Sequence, residues 1–254
     1  MTRVVTLAIL GLLACMTGSA SARTVRSGYD DAAPATRAMQ DDDAANPGFL
    51  WVQQGEAIWN ERAGPDGRSC ATCHGAPSTM RGVATRYPAF DADTSRPGTL
   101  EGRINRSRTQ DQRAAAFAAE SDALLAITAF VGLQSRGLPM AIAVDERERP
   151  FYDAGRAIFE TRMGQLNLSC AQCHDQLVGQ RLAGALIPQG QPNGYPLYRL
   201  EWQSMGSLYR RIRNCMTGVR AEPFDVGAIE VVDLELFLAV RSNGLRVETP
   251  AVRP

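Results

Sequence analysis

The chain has 254 residues, of which 44% are apolar and 21% charged, so a wholly disordered or fibrous protein is excluded and one large or two smaller domains fit the length. Its 27 cationic side chains balance 27 acidic ones, which gives no indication of nucleic-acid binding. All the cations are arginine, so chemistry that depends on lysine is excluded, and two histidines are too few for a histidine-rich metal site.

Residues 1–22 are predicted to be an export signal. Arg3 precedes an apolar run, Val4–Ala14, and a stretch of small residues ends at Ala22, where we expect cleavage. The run is too short to cross a bilayer, so we expect a protein that does not span the membrane. Cys15 loosely resembles a lipoprotein site, which stays open as an alternative; otherwise Cys15 leaves with the signal.

Residues 23–47 form a polar extension rich in Ala, Asp, Ser, Thr and Arg. Such a segment buries little apolar surface, so we expect it to wrap around the protein or to stay mobile. The acidic run Asp41-Asp42-Asp43 is predicted to be a solvated tail and not a metal site.

Two similar halves follow the extension. The spacing between matching segments is 100 residues at first, 108 further on and 107 for the last pair, so the second half contains a longer loop. One unit used twice is the simplest explanation, with a polar linker at 139–150. The matching pairs are GEAIW at 55–59 with GRAIF at 155–159, SCATCH at 69–74 with SCAQCH at 169–174, Tyr87-Pro88 with Tyr195-Pro196, LEGRI at 100–104 with LYRRI at 208–212, and FVGLQSRGL at 130–138 with FLAVRSNGL at 237–245.

Helical spacing of apolar residues recurs three times in each half, and strand signals are weak. The predicted helices cover 51–62, 98–110 and 119–134 in the first half, and 152–163, 206–218 and 228–241 in the second. We therefore expect a mostly α chain with extensive loops, as when a cofactor supplies part of the core.

The Cys-x-x-Cys-His motifs, Cys70–His74 and Cys170–His174, are the attachment signature of c-type haem. Two thiols bind the haem vinyl groups and the adjacent histidine binds iron. Zinc or a pair of disulfides are the alternatives. Because both histidines lie in these motifs, neither is free to act as a catalytic base. The motifs predict two covalently bound haems c in two tandem cytochrome c-like domains, at 48–144 (haem 1) and 145–254 (haem 2).

Cys215 is the one cysteine that remains after haem attachment. It shares a helical stripe with Leu208, Ile212 and Val219, so its sulfur is predicted to point toward the core or the haem. Arg211 lies one turn earlier, and further arginines follow nearby. Guanidinium groups lower the pKa of a thiol and bind oxyanions, which indicates a reactive cysteine. The alternative is an inert buried cysteine with surface arginines. The further arginines are Arg210, Arg213 and Arg220.

The two motif-bearing halves and the run RRIRNCMTGVRAEPF at 210–224 resemble the SoxA family, the dihaem subunit of the SoxAX cytochrome complex. The resemblance implies a periplasmic L-cysteine S-thiosulfotransferase. Such an enzyme joins thiosulfate oxidatively to a cysteine of the carrier protein SoxYZ and passes electrons through haem to SoxX. A thiosulfate dehydrogenase that forms tetrathionate, a dihaem electron carrier without catalysis and a redox sensor are the competing interpretations.

The resemblance also implies roles for individual residues. Cys215 would be the distal ligand of haem 2 and would carry a persulfide, and Arg211 would hold the anionic substrate. The haem-binding sets would be Cys70, Cys73 and His74 for haem 1, and Cys170, Cys173 and His174 for haem 2.

One position departs from the family pattern. Residues 100–108 read LEGRINRSR, and Ser107 stands where the family tends to have a cysteine. The repeat spacing independently matches Ser107 with Cys215. A neutral hydroxyl is a poor iron ligand, so haem 1 is predicted to be five-coordinate, to hold water, or to take Met80 or Met140. We accordingly expect an unusual spin state or potential.

Overall fold

The computed structural model describes residues 24–182 and 184–254. The predicted export signal and Cys15 lie outside the described residues, and their assignment remains a prediction.

Six long helices and several short elements make up the described chain. The predicted mostly α character is confirmed, and each long helix lies within three residues of its expected bounds. The extension contains α1 (Pro34–Asp41). The first half contains α2 (Phe49–Asn60), α3 (Cys70–His74), β1 (Ala89–Asp91), β2 (Arg96–Gly98), α4 (Leu100–Gln110) and α5 (Asp122–Leu133). The second half contains α6 (Arg149–Glu160), a π-helical turn (Gln172–Gln176), β3 (Arg181–Leu182), β4 (Ala185–Leu186), β5 (Leu197–Arg199), β6 (Ser204–Gly206), α7 (Leu208–Gly218), α8 (Ile229–Arg241) and β7 (Ala251–Arg253).

Hydroxyl side chains start several helices. Thr99 accepts a hydrogen bond from the Gly102 amide at the start of α4, and Ser207 accepts one from the Arg210 amide at the start of α7. Ser121 caps α5 in the same way. An N-cap of this kind satisfies an amide that would otherwise lack a partner. These caps fix where α4 and α7 begin, and so set the register of the residues they carry.

Each half is built on a close helix crossing. α2 packs on α5 at Gly55, and α6 packs on α8 at Gly155. A Cβ atom at Gly55 would overlap the carbonyl oxygen of Ala126, and one at Gly155 would overlap that of Asp233. Glycine is therefore required at both crossings, because only its missing side chain lets the backbones approach so closely.

Apolar packing forms a core in each half and a third core between them. α5 and α8 are buried on nearly all sides, as expected for helices without a solvent face. The first core is centred on Trp59, Ile127 and Phe130, and the second on Phe159, Ile212 and Phe237. The third contains Met140, Ile142, Leu236, Ala239 and Val247, so it joins the segment after α5 to α8.

Short strands outside the helices pair into small sheets. β1 and β2 pair antiparallel, as do β3 and β4. β5 pairs antiparallel with β6 and in parallel with β7 at the carboxyl end of the chain. Strands of two or three residues are too short to show an alternating pattern, which is why the sequence did not indicate them.

The extension wraps around the protein. Asn46 donates to the Pro250 carbonyl at 2.8 Å, and the Val252 amide donates to Gln40 at 3.0 Å. Asp43 is exposed, yet it forms an ion pair with Arg136 at 2.6 Å. The acidic run is therefore solvent-facing, but one of its members fastens the extension to the first half.

The predicted linker at 139–150 contains two residues that are buried in the core between the halves. Met140 and Ile142 are both under 10% exposed, and the Ile142 amide donates to Asn243 at 2.7 Å. Apolar residues preceding the charged run supply this packing. Among the described residues, none of the helices is both long and apolar enough to cross a bilayer.

Candidate functional site

Three sulfur atoms lie near one another at the second attachment segment, two from the segment itself and one from Cys215 on α7. Cys170 and Cys173 are half-buried and form no disulfide. Burial, and to a smaller extent the nearby Cys215 sulfur, raise the pKa of Cys170 to about 11. Burial and Cys215 likewise raise the pKa of Cys173. The thiol of α7 therefore lies beside the attachment thiols.

His174 is held in one orientation by the loop that follows it. Its Nδ1 lies 2.8 Å from the Pro188 carbonyl oxygen. A carbonyl only accepts, so Nδ1 carries the proton and Nε2 is left free to bind a metal. Gly190 has a positive φ of 72°, and a Cβ there would lie 3.0 Å from Nδ1. The backbone thus presses against the imidazole ring and restricts its rotation.

Cys215 faces that imidazole. It lies on α7 beside the buried Met216 and close to His174. Burial raises the pKa of Cys215, but the neighbouring His174 side chain and the positive charges of Arg211 and Arg199 together lower it by more. The sulfur is therefore held toward its thiolate form.

Two guanidinium groups act on this thiol. Arg211 is the one expected, one turn before Cys215 on α7. Arg199, at the end of β5, was missed by the sequence reasoning. Its side chain is 15% exposed, and its Nε lies 3.4 Å from a Glu201 oxygen without hydrogen-bond geometry. Burial lowers the pKa of Arg199, and the Arg211 charge lowers it further, so the two arginines are close.

Tyr195 belongs to the same group. Burial raises its pKa, while Arg211 and Arg199 lower it less. No motif indicated Arg199, and the repeat marked Tyr195 only as the match of Tyr87, because the loop that carries them lies between the attachment motif and α7. The tertiary fold alone brings them to Cys215.

The other arginines of the run are placed elsewhere. Arg210 lies over the Trp202 ring at 4.3 Å and donates to Ser204 at 3.1 Å. Arg213 and Arg220 are exposed. The strongest charges on Cys215 are those of Arg211, His174 and Arg199. Arg210 lies near the thiol in sequence, but its side chain packs on Trp202.

The first attachment segment is more open. Ser69 and Thr72 form a capping box at the start of α3. His74 is exposed, with its ring 5.7 Å from that of Trp59. Burial raises the pKa of Cys70, although the Arg108 charge lowers it in part. Gln112 lies 3.8 Å from the Cys70 sulfur.

Ser107 lies on α4 at the register that Cys215 has on α7. α4 and α7 each have 11 residues, and Ser107 and Cys215 are each the eighth. Ser107 is half-buried. Met140 is in the core between the halves, and Met80 ends a 3-10 turn that packs on the first core.

These residues fit covalently attached haem. Each segment offers two unpaired thiols and an adjacent histidine, and the protonated Nδ1 of His174 leaves Nε2 for iron. Zinc would need further ligands, and within the described residues no group of three or more His, Cys, Asp or Glu side chains is placed to hold a metal ion.

Known proteins resemble the chain over most of its length. The family model "SoxA/TsdA, cytochrome c domain" matches residues 54–140 and 154–247. Two relatives are each named L-cysteine S-thiosulfotransferase subunit SoxA. The one from Rhodovulum sulfidophilum is 37% identical over 90% of this chain and 80% of its own. The one from Pseudaminobacter salicylatoxidans is 38% identical over 86% and 77%. The crystal structure of SoxXA from P. pantotrophus superposes with a TM-score of 0.88 at 34% identity, over 91% of this chain and 87% of that one.

Proposed function

The chain belongs to the SoxA family of cytochromes c, and from that premise we propose that it is an L-cysteine S-thiosulfotransferase. It would join thiosulfate to a cysteine of a SoxYZ-like carrier protein. The observation that carries the proposal is Cys215, which faces His174 and lies under the charges of Arg211 and Arg199.

We propose a periplasmic protein made of an extension and two haem-binding domains. Removal of residues 1–22 would leave the extension at 23–47 and domains at 48–144 and 145–254. The two domains would be related by an internal repeat. Matching helices, matching glycine crossings and the two attachment segments support this division. Haem 1 would be held by Cys70, Cys73 and His74, and haem 2 by Cys170, Cys173 and His174.

The proposed reaction forms one S–S bond. The outer sulfur of thiosulfate joins the sulfur of the carrier cysteine, the cysteine thiol gives up its proton, and two electrons leave. Haem, when bound, accepts those electrons one at a time. A SoxX-like monohaem cytochrome would receive them, a partner supported by the solved SoxXA relative.

The chain's own residues would position the anion. Thiosulfate is a dianion, and the guanidinium groups of Arg211 and Arg199 can donate charge-assisted hydrogen bonds to its oxygens. Because the two guanidinium groups repel each other in the free site, an anion that binds between them relieves that repulsion as well as pairing with each charge. Cys215, as a persulfide, would first form an S–S bond with the outer sulfur of thiosulfate as two electrons leave. The carrier thiolate would then attack that outer sulfur, which breaks the bond and releases the Cys215 persulfide unchanged.

Mass spectrometry of the purified mature protein tests the proposal. We expect haem on both attachment peptides and the mass of one extra sulfur atom on the Cys215 peptide. We also expect that the wild type consumes thiosulfate only when reduced carrier protein and an electron acceptor are present. An unmodified Cys215, together with unchanged turnover in the Cys215→Ala variant, would contradict it.

The product separates this function from its closest rival. Because the matching family model covers SoxA and TsdA cytochromes alike, a thiosulfate dehydrogenase remains a second candidate. That enzyme would form free tetrathionate without any carrier. A non-catalytic electron carrier would give neither product, and its electron transfer would not depend on Cys215.

A further inference from the structure

α4 and α7 carry different side chains at the same register. Both helices start at a hydroxyl N-cap, Thr99 or Ser207, so their residues follow in step. The eighth residue is Cys215 in α7, where it faces His174. The corresponding face of α4 carries Ser107, and α4 packs on the first core, as does Cys70. Ser107 therefore occupies the position of a distal ligand without the chemistry of one.

Met140 cannot take that role without dismantling the core between the halves. Its side chain is 7% exposed and packs with Ile142 and Leu236. Its amide donates to the Leu245 carbonyl at 2.8 Å, and its carbonyl accepts from the Gly244 amide at 2.9 Å. Both its side chain and its backbone are thus committed to contacts with the second half.

Met80 lies on the same side of the site as His74, so it is not placed to bind iron from the opposite side. Gly82 and Gly190 both have a positive φ, of 78° and 72°, and each precedes a Tyr-Pro pair at the same spacing. When the two segments are aligned on these glycines and Tyr-Pro pairs, Met80 corresponds to Pro188, whose carbonyl accepts a hydrogen bond from His174. The turn that ends at Met80 is also fastened to the carbonyl of His74 by Thr79 at 2.9 Å. Met80 is therefore on the proximal side, with the histidine.

The first attachment segment is also the more accessible one. His74 and Cys73 are exposed, whereas His174 and Cys173 are half-buried. This exposure is on the side of the histidine. Ser107 is half-buried, as Cys215 is, so the difference that matters on that side is the missing thiol.

From these observations we infer that the first half is a binding site for small haem ligands from solution. Among the described residues, Ser107, Met80 and Met140 are the candidates for a ligand on the side opposite His74, and none of the three supplies a strong one from its position. With haem bound, the site would accept a neutral diatomic molecule such as carbon monoxide when reduced, and a small anion such as cyanide when oxidised. The inference rests on the proposed function, because it requires haem on Cys70 and Cys73.

Titration of the purified holoprotein tests the inference. Haem is first located on the Cys70–Cys73 peptide by mass spectrometry. The reduced protein is then titrated with carbon monoxide, and the oxidised protein is examined by EPR with and without cyanide. We expect about one carbon monoxide per chain, and one high-spin ferric signal that cyanide abolishes.

Three variants localise the binding. Ser107→Cys restores a thiol and should abolish both the carbon monoxide uptake and the high-spin signal, whereas the matched Ser107→Ala should keep both. Met80→Leu should also bind carbon monoxide as the wild type does. If Ser107→Cys does not accumulate as holoprotein, the EPR spectrum of the wild type decides: a high-spin signal supports the inference, and only low-spin signals overturn it.

The possible failures are distinguishable. A Cys70–Cys73 peptide without haem would overturn both the inference and the proposed dihaem organisation. Haem on that peptide with no carbon monoxide uptake would overturn the inference alone. Uptake that persists at full stoichiometry in Ser107→Cys would also overturn it, because the ligand would then bind elsewhere.

Discussion

The two halves of the molecule share a helical frame but present different side chains from it. In the second half, Arg199 at the end of β5 and Arg211 on α7 act on the same thiol. In the first half, the position of Arg199 is taken by Asp91, which pairs with Arg106. The comparison teaches that the frame is compatible with opposite electrostatics: one half leaves two arginines to act on an anion, and the other neutralises its own charge. The matched pairs are Cys215 with Ser107, Arg211 with Arg103, Arg199 with Asp91, and Asp233 with Ala126.

The sharpest test of the comparison is to substitute the matched eighth residues of α7 and α4, Cys215 and Ser107. We expect Cys215→Ala to lower thiosulfate-dependent turnover by about a thousandfold or more, because the sulfur that takes part in transfer is gone. Ser107→Ala should leave turnover within about twofold, because that hydroxyl takes no part in transfer. Steady-state assays with a carrier protein and an electron acceptor measure both. Equal losses in the two variants would show that the halves do not differ in this way.

The glycine crossings should behave alike in the two halves. Gly155→Ala and Gly55→Ala each force a Cβ into a backbone carbonyl, so we expect each to lower the free energy of unfolding by about 3 kcal/mol. Gly102→Ala is the control, because its Cβ would lie 3.4 Å from Thr99 and meet no backbone. Denaturant titration of the holoprotein gives the values. A neutral Gly155→Ala would mean that the α6–α8 crossing is looser than the structure indicates.

Substitutions of Arg211 and Arg103 distinguish a specific contact with the substrate from a general effect of positive charge. We expect Arg211→Gln to raise the KM for thiosulfate by roughly tenfold to a hundredfold, since a charge-assisted hydrogen bond is worth roughly 1.5–3 kcal/mol. Arg103→Gln, at the exposed matching position of α4, should leave the KM unchanged. If salt raises the KM of both variants and the wild type equally, the anion is held by diffuse charge and not by Arg211.

The smallest expected effect concerns Asp233, which stands where the first half has Ala126. Burial, and then Glu230, raise the pKa of Asp233 to about 6 from an ordinary value of 3.8. The folded state therefore holds this proton more tightly, so the stability that the protonated carboxyl contributes is present below pH 3.8 and is lost as the pH rises through 6. Its Oδ1 is buried without a hydrogen-bond partner.

Asp233→Asn should remove the decrease in stability that accompanies ionisation of this carboxyl. We expect the variant to be more stable at pH 7.5 by roughly 1–2 kcal/mol, with a flatter stability profile between pH 4 and 7. Thermal unfolding at several pH values provides the measurement. Asp233→Ala, which copies the first half, should show the same flattening with some loss of packing. A wild-type profile already flat through pH 6 would refute the assignment.

The sequence was sufficient for the parts of the fold that depend on local patterns. Apolar periodicity located all six long helices, and the attachment motifs located both histidines. Contacts distant in the chain were not predictable. Arg199 approaches Cys215 only because β5 pairs with β6 ahead of α7. The burial of Met140 depends on α8, almost a hundred residues later. Neither contact produces a local pattern that a sequence can display.

The packing within the predicted linker was not predictable for a related reason. The charged run at 145–149 carries no information about the residues before it. Ile142 illustrates this, because a few apolar residues are enough to insert into a core when the partner surface already exists.

The parallel strand β7 makes the surroundings of the thiol depend on residues far from it in the chain. Ala251, Val252 and Arg253 pair with β5, which ends at Arg199. A proteolytic cut just before β7 would leave both attachment motifs and α7 intact and still remove the strand that pairs with β5. The position of Arg199 is therefore open to damage at a site that no motif marks.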